Sequence, residues 1–206
     1  IAILTLNSPP VNALSSSVRE GLSLGIKDAI QDNNVEAIVL ICEGRTFIAG
    51  ADISEFGKIP KGPSLFEVQE GIENSPKPII AAIQGAAVGG GLGLALAADF
   101  RIGCPESKFS ANFAKLGFHQ GFGSSVTLPR VVGLQNAAMM LYTAKRIKGE
   151  EALSLGLLDE MVPLGELMKK TQEFAAEIAS SAPMAVESIR ATVRGDLADQ
   201  VEEIVD

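Results

Sequence analysis

The sequence predicts one α/β domain built on a parallel sheet, and three observations carry that expectation. Glu36 to Cys42 and Ile79 to Ile83 are short continuous apolar runs rich in β-branched residues, as in strands buried on both faces. Segments of helical periodicity alternate with them, the pattern of right-handed βαβ crossovers. The 206 residues, 47% apolar and 20% charged, suit one domain with a substantial core.

Ile1 to Leu6 alternates apolar and small residues before N-S-P-P turns the chain, so the first element reads as a strand whose hairpin partner lies upstream. Ser15, Ser16 or Ser17 caps a helix to about Ile30, with Val18, Leu22, Ile26 and Ile30 on one face. After the strand ending at Cys42, E-G-R-T-F-I-A-G-A-D-I reads as a small-residue loop opening into a short helix, which places a backbone N–H site at Ala51. Lys58 to Pro63, rich in Lys, Gly and Pro, reads as a segment able to move. Ser64 to Ile72 reads as a helix carrying Leu65, Phe66 and Val68.

The strand Ile79 to Ile83 leads into G-A-A-V-G-G-G-L-G-L-A-L-A-A-D, Gly85 to Asp99. Glycine lacks a Cβ and permits close approach, and the first N–H groups of a helix have no internal partner and sit at its positive end. Three glycines at a helix start therefore make a place for developing negative charge. Phe100 to Gly103 and Lys108 to Ala111 read as short strands around the turn C-P-E-S. Between Asn112 and Val126 three phenylalanines, the single histidine and three glycines form a loop suited to lining an apolar pocket. Helices are expected from Ser124 or Ser125 to Val132, over Gln135 to Ala144 and over Gly149 to Leu155, then an edge strand at Leu158 to Val162. Residues 1–163 form the α/β core on this reading, and residues 164–206 form a helical region that stops in mid-pattern: Glu166 to Ser180, Pro183 to Arg194, and a continuing helix beyond.

The net charge of −8, with no cluster among the 17 Lys and Arg, argues against nucleic acid as the main partner; an anionic small ligand needs only a few local cations and a helix start. Cys42 and Cys104 lie in or at the end of apolar runs outside any metal-binding spacing, which reads as buried free thiols of a cytoplasmic protein. One histidine and two cysteines leave little for a metal site. No apolar run reaches the roughly 20 residues that span a bilayer.

Three segments together resemble the crotonase superfamily, the enoyl-CoA hydratases and isomerases: F-I-A-G-A-D-I (Phe47 to Ile53), A-I-Q-G-A-A-V-G-G-G-L-G-L-A-L-A-A-D-F-R-I (Ala82 to Ile102), and L-P-R-V-V-G followed by K-G-E-E-A-L-S-L-G-L-L-D-E-M-V-P. Their order and spacing are the family's, and the likeness covers nearly the whole chain. It implies a spiral of ββα/βαβ units with a C-terminal helical region used in a homotrimer or dimer of trimers. The implied substrate is an acyl-CoA thioester, with coenzyme A as part of the substrate and no separate cofactor. The implied chemistry is stabilisation of a thioester enolate by two backbone N–H groups, here Ala51 and Gly90. Ala49, Asp52 and Ile53 match positions bordering the CoA adenine and pantetheine, although Asp52 also reads as a residue holding its own loop.

The acids depart from the family pattern. Hydratases carry a glutamate two residues after the triple glycine and another in F-G-x-P-E, and these positions are Gly93 and Phe113 here. The single catalytic glutamate of the Δ3,Δ2-enoyl-CoA isomerases aligns with Gly121. His119, in the same loop, reads either as a general base or donor to the acyl group, or as a histidine that fills the loop. Glu67 and Glu70 read as candidates aimed at the acyl pocket or as part of a solvated face, whereas Phe113, Phe118 and Phe122 read as apolar wall or core that would favour an apolar acyl or aromatic group. The expected function is an acyl-CoA lyase or isomerase of that family, working through an enolate with its acid/base unassigned and without the acids of a standard hydratase. A hydrolase, C–C lyase, decarboxylase or dehalogenase on the same scaffold, and a CoA-thioester-binding protein without catalysis, are the alternatives.

Overall fold

A computed structural model describes residues 1–59 and 61–204. Its elements are β1 (Ala2–Leu6), α1 (Ser16–Gln31), β2 (Ile38–Cys42), β3 (Thr46–Ile48), α2 (Leu65–Glu73), β4 (Ile79–Ile83), β5 (Ala86–Val88), α3 (Gly90–Ala97), β6 (Phe100–Gly103) and β7 (Lys108–Ser110). There follow α4 (Ser124–Val132), α5 (Leu134–Thr143), β8 (Ile147–Lys148), α6 (Gly149–Ser154), β9 (Glu160–Met161), α7 (Leu167–Ala179), α8 (Pro183–Arg194) and α9 (Leu197–Glu202).

The strands form two sheets. One has the order β1-β2-β4-β6-β9 and is parallel throughout; the other has the order β3-β5-β7-β8, parallel except for the antiparallel β7–β8 pair. Each turn of the chain adds a strand to the first sheet, a strand to the second, then a helix, which makes a spiral of ββα units. Ser107 performs one of the sheet changes. Its Oγ donates to the Ile83 carbonyl at 2.6 Å and accepts from the Cys104 N–H at 2.9 Å, so the C-P-E-S turn carries the chain out of one sheet into the other. The sequence reading missed β3, β5 and β8. At two or three residues each they are too short to show a period, and what makes them strands is pairing with distant segments.

The continuous apolar runs are explained by two covered faces. Ile38, Leu40, Ala81 and Ile83 point into the main core, while Val39, Ile80 and Ala82 pack on the other side beneath Leu167 and Ala175 of α7. Along α1, Val18, Leu22, Ile26 and Ala29 are buried and Ile30 is half-buried, so the stripe turns one position earlier at its end. All eight residues of α3 are buried, which fits its Gly, Ala and Leu composition and leaves no polar face to solvate. Cys42 and Cys104 are buried free thiols, and burial pushes both thiols above their ordinary titration range.

The expected continuation of α8 is interrupted. Gly195, at φ +58°, ends it, and α9 is a separate helix. Val205 and Asp206 of that expectation, and Pro60 of the segment expected to move, lie outside the described residues. The C-terminal helices are tied to the core through Asp99, just after α3, which accepts from the Arg190 Nε at 2.9 Å and the Ile79 N–H at 2.8 Å and lies 3.3 Å from the Arg194 Nε. Arg190 also donates to the carbonyls of Ile72, Glu73 and Ser75, and Arg194 to that of Ala97. The Ile72, Glu73 and Ala97 carbonyls belong to the last turns of α2 and α3, where guanidinium is favoured.

Candidate active site

The start of α3 is shaped by what touches its glycines. Gly89 adopts φ +53° and donates its N–H to the Ser110 carbonyl at 2.9 Å, which turns the chain from β5 into the helix. Gly90, the first helical residue, has no acceptor for its N–H within the helix, and none elsewhere among the described residues. Gly91 has no room for a Cβ because that atom would overlap the Ile48 carbonyl, so β3 and α3 meet backbone to backbone.

The second backbone site forms beside the first. Beyond β3, Leu14 donates its N–H to the Gly50 carbonyl at 2.9 Å and forms an isolated parallel bridge with Ala51. The Ala51 N–H has no acceptor among the described residues. The Leu14 side chain continues to Gly90, where its Cδ1 lies 3.3 Å from the position of a built Cβ. One buried leucine therefore separates two backbone segments, each with an unpaired N–H. The sequence reading placed Ala51 at the opening of a short helix. Instead the 3-10 turn spans Ile53–Glu55 and is capped by Asp52, whose Oδ1 accepts from the Ser54 N–H at 2.9 Å. Asp52 thus holds its own loop.

Arg19 holds that loop in place, and sequence reasoning missed it. It is buried on α1, where its Nε donates to the Pro63 carbonyl at 2.7 Å, Nη1 to the Leu14 carbonyl and Glu55 Oε2, both at 2.8 Å, and Nη2 to the Lys61 carbonyl at 3.0 Å. Glu55 also accepts from the Ser16 N–H at 2.7 Å, and these donors, Arg19 foremost, hold its carboxyl below the ordinary range. The clue in the sequence was a lone arginine on an otherwise apolar helix face. Next to this network lies a cavity of about 440 Å³ whose lining includes Ala51, Asp52, Phe56, Lys58, Lys61 and Leu65. The two carboxylates of the lining, Asp52 and Glu55, are taken up by the Ser54 N–H and by Arg19, and the two lysines with the apolar wall suit an anionic ligand with an apolar portion.

The aromatic loop closes over the glycines. The Phe113 ring lies 3.8 Å from a Cβ built on Gly89, and Phe122 packs on Gly90 and Gly93. Phe118 meets Phe56 edge to face with ring centroids 6.3 Å apart, which joins this loop to the 3-10 turn bearing Ile53. Ala49, Ile53, Phe118 and His119 are exposed, and the His119 side chain has no hydrogen-bond partner among the described residues. The structure thus gathers Ala51, Asp52, Ile53, Gly90, Phe113 and Phe118 around the two loops, with His119 on the outer side of one of them.

The acidic candidates sort differently from expectation. Glu67 accepts from the Ser64 N–H at 2.5 Å and completes a capping box with the Ser64 hydroxyl, which also holds its carboxyl below the ordinary range; this turns Glu67 back on its own helix. Glu70 is half-buried. The buried pair on α2 is Gln69 and Glu73, joined by a 2.9 Å hydrogen bond from Gln69 Nε2, and burial raises the Glu73 carboxyl above its ordinary range. Among the described residues no three His, Cys, Asp or Glu side chains gather as a metal site would require.

The family described as enoyl-CoA hydratase/isomerase matches residues 1–206. A probable enoyl-CoA hydratase of Bacillus subtilis is 40% identical over 201 residues, 92% of this chain and 76% of that protein. The peroxisomal fatty acid beta-oxidation multifunctional protein AIM1 of Arabidopsis thaliana is 37% identical over 200 residues, 93% of this chain but only 28% of that protein. Among solved structures, an enoyl-CoA hydratase/isomerase from Pseudoalteromonas atlantica superposes with a TM-score of 0.92 at 29% identity, covering 98% of this chain and 82% of that one.

Proposed function

The chain belongs to the enoyl-CoA hydratase/isomerase family, and from that premise we propose that it binds an acyl-CoA thioester and stabilises the enolate through the N–H groups of Ala51 and Gly90. The observation that carries this reading is the pair of unpaired backbone donors on either side of Leu14. Preorganised donors in a water-poor site lower the cost of charge developing on the thioester oxygen, and each is worth about 2.7 to 4 kcal/mol in the transition state. The start of α3 adds its dipole to the Gly90 donor. Lys58 and Lys61 at the neighbouring cavity supply the local cations that CoA phosphates require on an acidic protein.

Nothing acidic stands at residues 93, 113 or 121, so proton transfer falls to another group, and His119 is the candidate. A CoA-thioester-binding protein without catalysis is the second reading, favoured by the same missing carboxylates. The proposal includes a cytoplasmic location, supported by the buried free thiols, and a homotrimer, supported by the exposed Met184, Ile189 and Val193 of α8.

The deciding experiment incubates the protein in D2O with butyryl-CoA, crotonyl-CoA and a 3-enoyl-CoA and follows thioester mass and absorbance. Deuterium entering the acyl α-carbon shows enolate formation. Tight binding with no exchange or turnover supports the second reading, and absence of thioester binding refutes both.

A further inference from the structure

Phe122 and Gly93 exclude one another's alternatives. A Cβ built on Gly93 would overlap the Phe122 Cβ, and one built on Gly90 would lie 2.5 and 2.6 Å from Phe122 Cε2 and Cζ. The Gly93 overlap involves an atom fixed to the backbone, so no rotamer change relieves it. Phe122 also holds φ +56°, a region costly to a residue with a side chain, between Gly121 and Gly123. Packing of its ring against the core and the α3 glycines holds it there.

The consequence for a bound acyl group follows from bond lengths. An oxygen accepting from the Gly90 N–H at about 2.9 Å places the acyl α-carbon within roughly 5 Å of that nitrogen. A ring resting on Gly90 is then a neighbour of the α- and β-carbons. We propose that Phe122, with Gly90 and Gly93, forms a flat apolar wall that selects thin, unbranched acyl groups and rejects those branched or ring-bearing at the β-carbon. The proposal rests on the acyl-CoA reading above. It explains the glycine at 93 as the partner of Phe122, leaving that face without room for a side chain.

The test compares the intact protein with Phe122→Leu and Phe122→Gly, the latter also relieving the backbone strain. Dissociation constants are measured for CoA, crotonyl-CoA, 3-methylcrotonyl-CoA and cinnamoyl-CoA. Phe122→Gly is expected to leave CoA affinity unchanged and to shift preference toward the branched and aromatic thioesters by about 10-fold or more, with Phe122→Leu intermediate. An unchanged cinnamoyl-to-crotonyl ratio in both variants overturns the wall. Thermal unfolding gives an arm independent of ligand: Gly93→Ala should lower the Tm of the intact protein by several degrees and change it little in the Phe122→Gly background. Equal losses in both backgrounds overturn the contact on which the wall depends. Absence of thioester binding with the expected thermal coupling would place the failure in the acyl-CoA reading, and the selectivity role would fall with it.

Discussion

At the scale of single residues, His119 is the most testable part of the proposed chemistry. It is exposed on the aromatic loop, where an imidazole can both reach solvent and exchange protons. His119→Ala is expected to lower turnover about 100-fold with thioester affinity unchanged. A variant that turns over at the original rate removes His119 from the mechanism. Glu73 offers a different measurement. Its carboxyl titrates above the ordinary range, chiefly because burial disfavours the charged form. A carboxyl raised in the folded state weakens stability as pH climbs from its unfolded value through its folded one. Glu73→Gln should therefore raise the Tm at neutral pH and have little effect near pH 4, and a loss of stability confined to neutral pH would show instead that Arg190 and Arg194 favour the charged form.

At the scale of elements, α3 organises the site because its N-terminal end lies between β3 and the aromatic loop while its C-terminal end is clamped. The Asp99–Arg190–Arg194 cluster joins that end to α2 and α8. Arg190→Met leaves Asp99 with less compensation and takes the donor from the Glu73 and Ser75 carbonyls, at a cost of about 3 kcal/mol or more. Chemical denaturation should show that loss with CoA affinity of the folded protein preserved; undiminished stability would demote the clamp to an incidental contact. The glycine-rich helix, its buried sheet strand and the helices from α4 through α8 were legible in the sequence, because each has a period or a cap long enough to read. The second sheet was not. A three-residue strand such as Ala86–Val88 carries no pattern of its own and exists through its pairing with β3 and β7.

At the scale of the whole molecule, the spiral leaves apolar side chains outward on α8 and α5, with Met184, Val193, Leu134 and Tyr142 more than two-thirds exposed. Large apolar side chains this exposed are ordinarily covered where they gather into a patch. The proposed homotrimer predicts a sedimentation mass near three times the 21.5 kDa chain, and Met184→Glu combined with Val193→Glu should shift it toward the monomer. A monomer at micromolar concentration would refute it.

The sequence by itself determined the fold class, the family likeness, the glycine helix start and the absence of acids at 93, 113 and 121, since each is written in composition or in short-range spacing. Only the tertiary structure decided why Gly93 is glycine, where Ala51 finds its unpaired N–H and what holds its loop. Phe122 is 29 positions from Gly93, and Arg19 is 44 from the Pro63 carbonyl it binds. Contacts at such separations leave no local period to read, and they come into being only when the spiral closes.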